Sequence, residues 1–260
     1  MNRKKITKIL NKKGKTPITC LTAYSKSVTE IVDKYCDIIL VGDSLGMVLY
    51  GMKTTREVSL STMILHTKTV KKFAKKSLVV CDMPFKTYSN KFEAYKNAKK
   101  IISASKCDAV KLEGGKRIAK TVKYLTTKGV PVMGHVGLLP QYAKNFKFVG
   151  KSLDQKKKIY EDAIALSNSG AFAIVIECTV ESLARKITNN VPIPTIGIGA
   201  SKHCDGQILV TDDIIGLSDF RSRFVKKYFN VKKFIQKSVK KYCNDVKERK
   251  FPSSLHVYKF

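Results

Sequence analysis

Eight short runs of β-branched residues alternate with Lys-rich amphipathic segments along this 260-residue chain. Several runs are almost continuously apolar, as at 38–41 and 174–176, which is typical of strands covered on both faces of a parallel sheet. Such an alternation restricts the chain to an α/β architecture. The predicted strands are residues 18–24, 37–43, 78–84, 109–114, 131–137, 171–178, 193–200 and 207–211.

Helical patterns lie between these strands. Ser89 or Asn90 is a suitable N-terminal cap for one of them, and Gly129 and Gly170 are stop signals directly before strands. The last pattern is long and basic, with a break expected near Asn230. The predicted helices are residues 59–74, 90–105, 116–128, 155–169, 180–190 and 220–249.

Two folds are compatible with this order of elements, a (β/α)₈ TIM barrel and a doubly wound open sheet. The strand count favours the barrel. No G-x-G-x-x-G follows the first strand, and the string at 197–200 is too short and too late to be that fingerprint. We predict a single α/β barrel domain over residues 1–260, with a basic helical C-terminal tail from about residue 220.

Lysine dominates the charge of the chain. Fifty Lys and Arg residues against twenty Asp and Glu give a net charge of +30. One interpretation is an electrostatic footprint for nucleic acid or an anionic membrane; the other is drift toward lysine. Only seven of the fifty are Arg, the side chain preferred for bidentate phosphate and base contacts. We therefore expect no specific nucleic-acid partner and no membrane partner.

The sequence also bears on the cellular compartment. No apolar run reaches the roughly 18–20 residues of a membrane span, and the basic N-terminus leads into polar sequence rather than an apolar signal core. Seven cysteines, an odd number without a C-x-x-C pair, predict reduced packing residues. We expect a cytoplasmic protein.

Ionisable residues recur where the predicted strands finish. In a parallel barrel the carboxyl ends of the strands meet at one mouth, where catalytic groups lie. Buried charges without partners are costly, so a convergence of this kind predicts a ligand. The residues are Asp43, Asp82, Glu113, His135 and Glu177, which finish strands two to six.

Three of these residues, Asp43, Asp82 and Glu113, form an oxygen-rich set on adjacent strands. Oxygen ligands without Cys or His favour Mg²⁺. Lys111 lies two residues before Glu113 and shares its face of the strand, where it could hold an anionic substrate. From the residues alone we predict a Mg²⁺-dependent barrel enzyme acting on a small acid.

Each of these residues also has a structural interpretation. A single Asp after a strand is more often a turn or cap residue than a ligand. Ser44 could cap the segment that follows it, and His135 could be a structural histidine. The coincidence of five strand ends is what favours a site over these alternatives.

At these positions the chain closely resembles the 3-methyl-2-oxobutanoate hydroxymethyltransferase (ketopantoate hydroxymethyltransferase) family, from about residue 16 to 225. The string V-G-D-S-L-G-M at 41–47 and the order of the strings together are highly specific. The matching strings are T-A-Y (22–24), L-V-G-D-S-L-G-M (40–47), D-M-P-F (82–85), V-K-L-E-G-G (110–115), P-V-M-G-H-V-G-L (131–138), I-E-C (176–178), I-G-I-G-A (196–200) and C-D-G-Q (204–207).

The resemblance implies a TIM barrel of the phosphoenolpyruvate/pyruvate type and a defined reaction. A hydroxymethyl group would pass from 5,10-methylenetetrahydrofolate to 3-methyl-2-oxobutanoate through a Mg²⁺-stabilised enolate. The products would be 2-dehydropantoate and tetrahydrofolate, in the first committed step of pantothenate (coenzyme A precursor) synthesis. The resemblance also implies a homo-oligomer, a decamer as in known bacterial members.

The family's site residues map onto individual positions here. By resemblance, Asp43 and Asp82 bind Mg²⁺ and with it the keto acid, and Glu113 supports the ion directly or through water. Ser44 and Lys111 would hold the substrate carboxylate. Glu177 matches the catalytic base, and His135 has a supporting role. Nothing in the residues themselves selects folate, which comes from the resemblance alone.

Three departures from the family pattern concern loops. Ser25 stands where Asp is usual, Ser201 stands where Gly is common, and residues 141–150 replace a glycine-rich loop. These changes could alter loop closure or folate contacts. Two other functions remain as alternatives: a nucleic-acid-binding module, and a related barrel lyase or mutase acting on an oxo acid.

Overall fold

The computed structural model describes residues 3–143 and 147–259. Its eight strands form a closed parallel barrel in which each strand pairs with the next and β8 pairs with β1. The predicted barrel is therefore confirmed, with every strand end within two residues of the predicted one. The strands are β1 Ile18–Thr22, β2 Ile38–Val41, β3 Leu78–Asp82, β4 Ala109–Glu113, β5 Val132–Gly137, β6 Ala173–Glu177, β7 Thr195–Ile198 and β8 Gly206–Leu209.

Helices follow most strands and begin at polar caps. The side chains of Ser59, Asn90 and Ser152 accept backbone N–H bonds at the starts of α4, α5 and α7. The helices are α1 Arg3–Leu10, α2 Lys26–Tyr35, α3 Leu45–Tyr50, α4 Leu60–Phe73, α5 Lys91–Ser105, α6 Ala119–Thr127, α7 Leu153–Asn168, α8 Glu181–Asn190, α9 Thr211–Ile214 and α10 Val231–Lys247, with 3₁₀ turns at Thr55–Glu57, Lys116–Ile118 and Ser254–His256.

The helix predictions hold for α4 to α8, and α1, α2 and α3 were not predicted. These three helices are short and bury few residues, so their apolar pattern is weak. The prediction of helix from residue 220 is wrong, because α10 begins only at Val231. Asn230 caps it by accepting the N–H of Lys233, which is a helix-start signal.

The barrel has an inner and an outer apolar core. The inner one is built from alternate strand residues such as Leu40, Val80 and Val175, and Ile9 of α1 belongs to the same buried cluster. Helix α1 lies at the amino-terminal ends of the strands, since Lys5 Nζ donates to the carbonyl of Ser77 just before β3. The outer core packs the other strand face against the helices.

The chain forms two compact units, Met1–Val210 with the barrel and Thr211–Phe260. The basic tail was predicted from about residue 220, and the second unit begins at Thr211. In this unit no residue of α10, all of which lies in the described part, is buried. Among the described residues, no helix combines the length and the apolar character that crossing a membrane requires.

Candidate active site

The alternation of strand residues carries five ionisable groups into the barrel mouth. Residues two positions earlier on the same strands (Val80, Ala109, Met133 and Val175) line the apolar inner core. The register places the groups side by side: Asp82 pairs with Lys111, Glu113 with His135, and Gly137 with Glu177. All five predicted strand-end groups and Lys111 are thus brought to the carboxyl ends of β2 to β6, as expected.

Asp43, in the turn after β2, lies beside Asp82 at the end of β3. The backbone N–H of Asp43 donates to Asp82 Oδ2 at 3.1 Å. A Cβ at Gly42 would come within 2.8 Å of Ser44 Oγ, so the glycine leaves room for this hydroxyl. Both carboxylates are buried, and they therefore form the acidic side of the site.

Lys111 lies at the centre of the charged groups. Its Nζ is 3.1 Å from Asp82 Oδ1, 4.0 Å from Glu113 Oε1 and 3.3 Å from His135 Nδ1. Burial alone would lower the pKa of this amine, but the surrounding carboxylates outweigh burial and hold the pKa above its ordinary value. Lys111 is therefore a permanent cation at neutral pH.

His135 connects Lys111 to Glu177. Burial, followed by the charge of Lys111, lowers the pKa of His135 well below its ordinary value, so the ring is neutral at pH 7. Because the ammonium of Lys111 can only donate, Nδ1 of His135 accepts from it and the ring proton lies on Nε2. Nε2 is buried and lies 3.3 Å from Glu177 Oε2, but this contact does not have the geometry of a hydrogen bond.

The backbone around Glu177 is tightly constrained. Gly137 has φ +92°, and a Cβ there would lie 2.3 Å from the carbonyl oxygen of Glu177. Cys178 adopts φ +43°, a left-handed conformation that is uncommon for a residue with a side chain. Burial raises the pKa of Glu177 to about 7, which suits a group that takes up a proton near neutral pH.

Negative groups outnumber positive ones at the mouth. Burial, followed by the neighbouring acids, raises the pKa of Asp43 well above its ordinary value, and burial raises the pKa of Glu113 to about 8. Among the residues that the structure describes, four carboxyl groups (Asp43, Asp82, Glu113 and Glu177) lie around the amine of Lys111 and a neutral imidazole. A cation bound beside them would supply the missing charge.

The donor set fits Mg²⁺ with few protein ligands. Asp82 Oδ1 is buried and has no hydrogen bond of good geometry among the described residues, although Lys111 lies 3.1 Å away. No three His, Cys, Asp or Glu side chains of residues 3–143 and 147–259 form a group that could hold a metal together. Mg²⁺ commonly uses one or two carboxylates and completes its shell with water and substrate oxygens.

Ser44 lies beside this acidic side, at the start of α3. It occupies the N-cap position, but its side chain makes no capping bond. Its Oγ is instead 2.8 Å from the hydroxyl of Tyr24. The hydroxyl is therefore oriented by Tyr24 rather than by the helix, which disfavours a simple capping role.

Gln141 was not predicted as a site residue, although it is buried among the acids. Its Nε2 donates to Asp43 Oδ2 at 2.7 Å, and its backbone N–H donates to Glu113 Oε2 at 3.0 Å. The only sequence signal is the Leu-Leu-Pro string before it, which marks a turn but not its contacts.

Of the three sequence departures, the altered 141–150 loop reaches the acids, because it begins at Gln141. Ser25 caps α2 without a side-chain bond, and Ser201 Oγ donates to Glu181 at 2.8 Å. In the altered 141–150 loop, residues 144–146 lie outside the described part. Val149 donates to the carbonyl of Cys178, which attaches the end of the loop beside Glu177.

A closed parallel barrel with acids, a lysine and a glutamate at its carboxyl mouth defines a class, the TIM-barrel enzymes. Solved structures share this fold. One is 2,3-dimethylmalate lyase, a PEP mutase/isocitrate lyase superfamily member (TM-score 0.59, 12% identity, 79% of this chain and 80% of that one). Another is phosphonopyruvate hydrolase in complex with oxalate and Mg²⁺ (TM-score 0.62, 10% identity, 97% and 93%). At these identities the likeness shows the fold alone.

The sequence narrows the class to one family. The pattern of the ketopantoate hydroxymethyltransferase family matches residues 3–254. The 3-methyl-2-oxobutanoate hydroxymethyltransferase of Pelagibacter ubique is 54% identical over 98% of this chain and 99% of its own length. The enzyme of the same name from Rhizobium etli is 52% identical over 95% of this chain and 92% of its own length. The chain belongs to the ketopantoate hydroxymethyltransferase family and is an enzyme of the hydroxymethyltransferase class.

Proposed function

We propose that this enzyme transfers a hydroxymethyl group from 5,10-methylenetetrahydrofolate to 3-methyl-2-oxobutanoate. One water molecule is consumed, because the donor carries a methylene group and water supplies the hydroxyl, and the products are 2-dehydropantoate and tetrahydrofolate, in the first committed step of pantothenate biosynthesis. The observation that carries the proposal is the convergence of Asp43, Asp82 and Lys111 with Glu177 in one buried mouth. Family membership favours this function over an oxo-acid lyase or mutase and over a nucleic-acid-binding module.

Asp43 and Asp82 hold Mg²⁺ in this proposal, and Glu113 supports it. Glu113 accepts the N–H of Gln141 on Oε2 and faces Lys111 and His135 with Oε1. Because its oxygens already have these partners, support through a water molecule is favoured over direct ligation. The bound ion supplies Lewis-acid stabilisation for the keto-acid oxygen that gains charge when the neighbouring carbon loses its proton.

Lys111 and Ser44 orient the keto acid. Lys111 is a buried amine that stays charged, and it provides electrostatic attraction for a carboxylate. The hydroxyl of Ser44, 2.8 Å from that of Tyr24, provides a second polar contact. Together the two groups bind the substrate carboxylate.

Glu177 removes the proton from C3 of the keto acid. Its pKa of about 7 leaves a substantial ionised fraction at neutral pH while keeping it a stronger base than an exposed glutamate. His135 supports it from close by, with Nε2 3.3 Å from Oε2. An N–H bond formed across this contact when the keto acid binds would stabilise the ionised carboxylate.

The decisive test is exchange of the C3 hydrogen of 3-methyl-2-oxobutanoate in deuterated water, followed by NMR. We expect Mg²⁺-dependent exchange even without folate, and consumption of methylenetetrahydrofolate when it is added. Exchange without folate consumption would indicate a lyase or mutase instead. Tight binding to nucleic acid that weakens steeply with salt would favour the binding module.

Asp82→Ala tests the ion site. We expect weaker binding of Mn²⁺, used as a spectroscopic probe for Mg²⁺. The matched control is Asp37→Ala, which removes a carboxylate just before β2, at the opposite end of the barrel, where Asp37 pairs with Lys12 at 2.7 Å. Equal Mn²⁺ affinity in Asp82→Ala and the unchanged enzyme would contradict the assignment.

The assembly and compartment are part of the proposal. The resemblance supports a homo-oligomer, a decamer, and α10 carries exposed apolar side chains at helical spacing that association could cover, namely Ile235, Val239, Tyr242 and Val246. Sedimentation should give about ten times the 29.1 kDa chain mass; a monomer would contradict it. All seven cysteines are free thiols, which supports a reducing cytoplasmic location.

A further inference from the structure

The turn after β5 brings one amide side chain into the acidic side of the mouth. Gln141 is 1% exposed. Its Nε2 donates to Asp43 Oδ2 at 2.7 Å and to the carbonyl oxygen of Met83 at 3.0 Å, so both amide hydrogens are used. Its Oε1 accepts the hydroxyl of Tyr88. Since two acceptors face one end and a hydroxyl faces the other, the orientation of the amide is fixed.

The backbone of the same residue binds a second acid. Its N–H donates to Glu113 Oε2 at 3.0 Å. Gln141 therefore joins one carboxylate after β2 to another at the end of β4. A bond to one oxygen of each carboxylate restricts rotation and leaves the other oxygen to face the mouth.

The turn that carries Gln141 is itself fixed by a cation. The guanidinium of Arg56 donates to the carbonyl oxygens of Gln141 at 2.8 Å and Ala143 at 2.9 Å. Next to Gln141, the ring of Tyr142 packs edge-on against Phe85 and lies 4.0 Å from the guanidinium of Arg117. These contacts hold the backbone of the turn in place independently of the acids.

We propose that Gln141 is a positioning residue for the divalent-ion site, fixing the carboxylates of Asp43 and Glu113 in the arrangement that receives the ion. This inference rests on the proposed function, because it presumes that these acids hold a cation. In this inference the turn after β5, in addition to the residues at the strand ends, contributes to the affinity for the ion.

The test is Mn²⁺ binding by the full chain, measured by electron paramagnetic resonance. Gln141→Met keeps the length of the side chain and removes its amide, and we expect Mn²⁺ affinity to fall roughly 10–100-fold. The matched control is Gln155→Met near the start of α7. Gln155 Oε1 accepts the N–H groups of Gly150 and Lys151, away from the acids. The Gln155→Met variant should have a lower thermal midpoint but the same Mn²⁺ affinity as the unchanged enzyme.

A second variant keeps the proposal testable if Gln141→Met does not fold. Tyr88→Phe removes the donor to Gln141 Oε1, and we expect Mn²⁺ affinity to fall roughly fivefold, as for one neutral hydrogen bond. If Gln141→Met folds and its Mn²⁺ affinity is unchanged, the proposed role of Gln141 is wrong. If Gln141→Met does not fold, unchanged Mn²⁺ affinity in Tyr88→Phe has the same consequence. Neither result contradicts the proposed function. An unchanged enzyme that binds no Mn²⁺ overturns both.

Discussion

The same strands build two layers of opposite character inside the barrel. In the lower layer Val80, Met133 and Val175 are apolar and buried. Two residues further along, the residues are polar or charged: Asp82 and His135 are equally buried, and Glu177 is partly buried. The lower layer stabilises the fold through burial of apolar surface, whereas the upper layer costs free energy of folding unless a ligand compensates its charge.

The difference between the layers makes the stability of the protein depend on pH. Burial raises the pKa of Glu113 to about 8 and that of Glu177 to about 7, from values near 4.5 in the unfolded chain. Between those values the folded, ion-free protein binds more protons than the unfolded chain. Its stability therefore falls as the pH rises from about 4.5 to 8. The lower layer has no such dependence.

The largest expected effect belongs to the upper layer. Glu177→Gln removes the base and should reduce C3 exchange by about 10²–10⁴-fold. Binding of the keto acid should persist. The thermal midpoint should not fall, because the substitution removes one of the buried acids that repel each other. Glu161→Gln, on α7 beside Lys116, is the control. Exchange at the unchanged rate would refute the role of Glu177.

Removing the amine of Lys111 should reveal how much the buried acids destabilise the fold. Lys111→Met leaves buried carboxylates without their cation, and we expect a loss of about 3 kcal/mol or more in unfolding free energy at pH 8. The loss should be smaller at pH 5, where the acids can protonate. Chemical denaturation at both pH values measures this, and an equal loss at both would contradict the electrostatic explanation.

A matched change in the lower layer should affect stability alone. Met133→Ala creates a cavity in the inner core and should lower the unfolding free energy by about 2–5 kcal/mol. Mn²⁺ affinity should stay unchanged in the folded fraction. If Mn²⁺ binding weakened as much as in Asp82→Ala, the two layers would not be separable in function.

Addition of Mg²⁺ should stabilise the protein through the upper layer. At a hundred times the dissociation constant the gain is about 2.7 kcal/mol. At a fixed Mg²⁺ concentration the rise in thermal midpoint should be greater at pH 8 than at pH 6, because protons compete for the acids at the lower pH. A rise independent of pH would place the ion elsewhere.

Much of this comparison could be predicted from sequence. Period-two alternation and apolar runs define the strands, and acids such as Asp82 and Glu113 stand where the strands end, so chain order and barrel closure bring them together. The order of the strings from 22 to 207 then identified the family, which the comparisons confirm.

The rest depends on contacts that no local pattern encodes. Gln141 is polar, follows a proline and lies in a turn, which describes many surface residues; only folding brings it to Asp43, 98 positions earlier in the chain. The left-handed conformation of Cys178 is likewise invisible in its residue type. The helix predicted over 220–230 is absent, because the residues before Asn230 are as basic as those of α10, whereas the break expected near Asn230 coincides with the start of α10.

Helix α1 covers the amino-terminal end of the barrel. Ile9 is buried in the inner core, and Lys5 joins the helix to the chain just before β3. Reactants can then arrive and depart only past the rim formed by the loops after the strands. A small acid bound at Lys111 would then be covered by the larger folate that binds after it. We therefore expect ordered kinetics, in which the small acid binds first and its product leaves last.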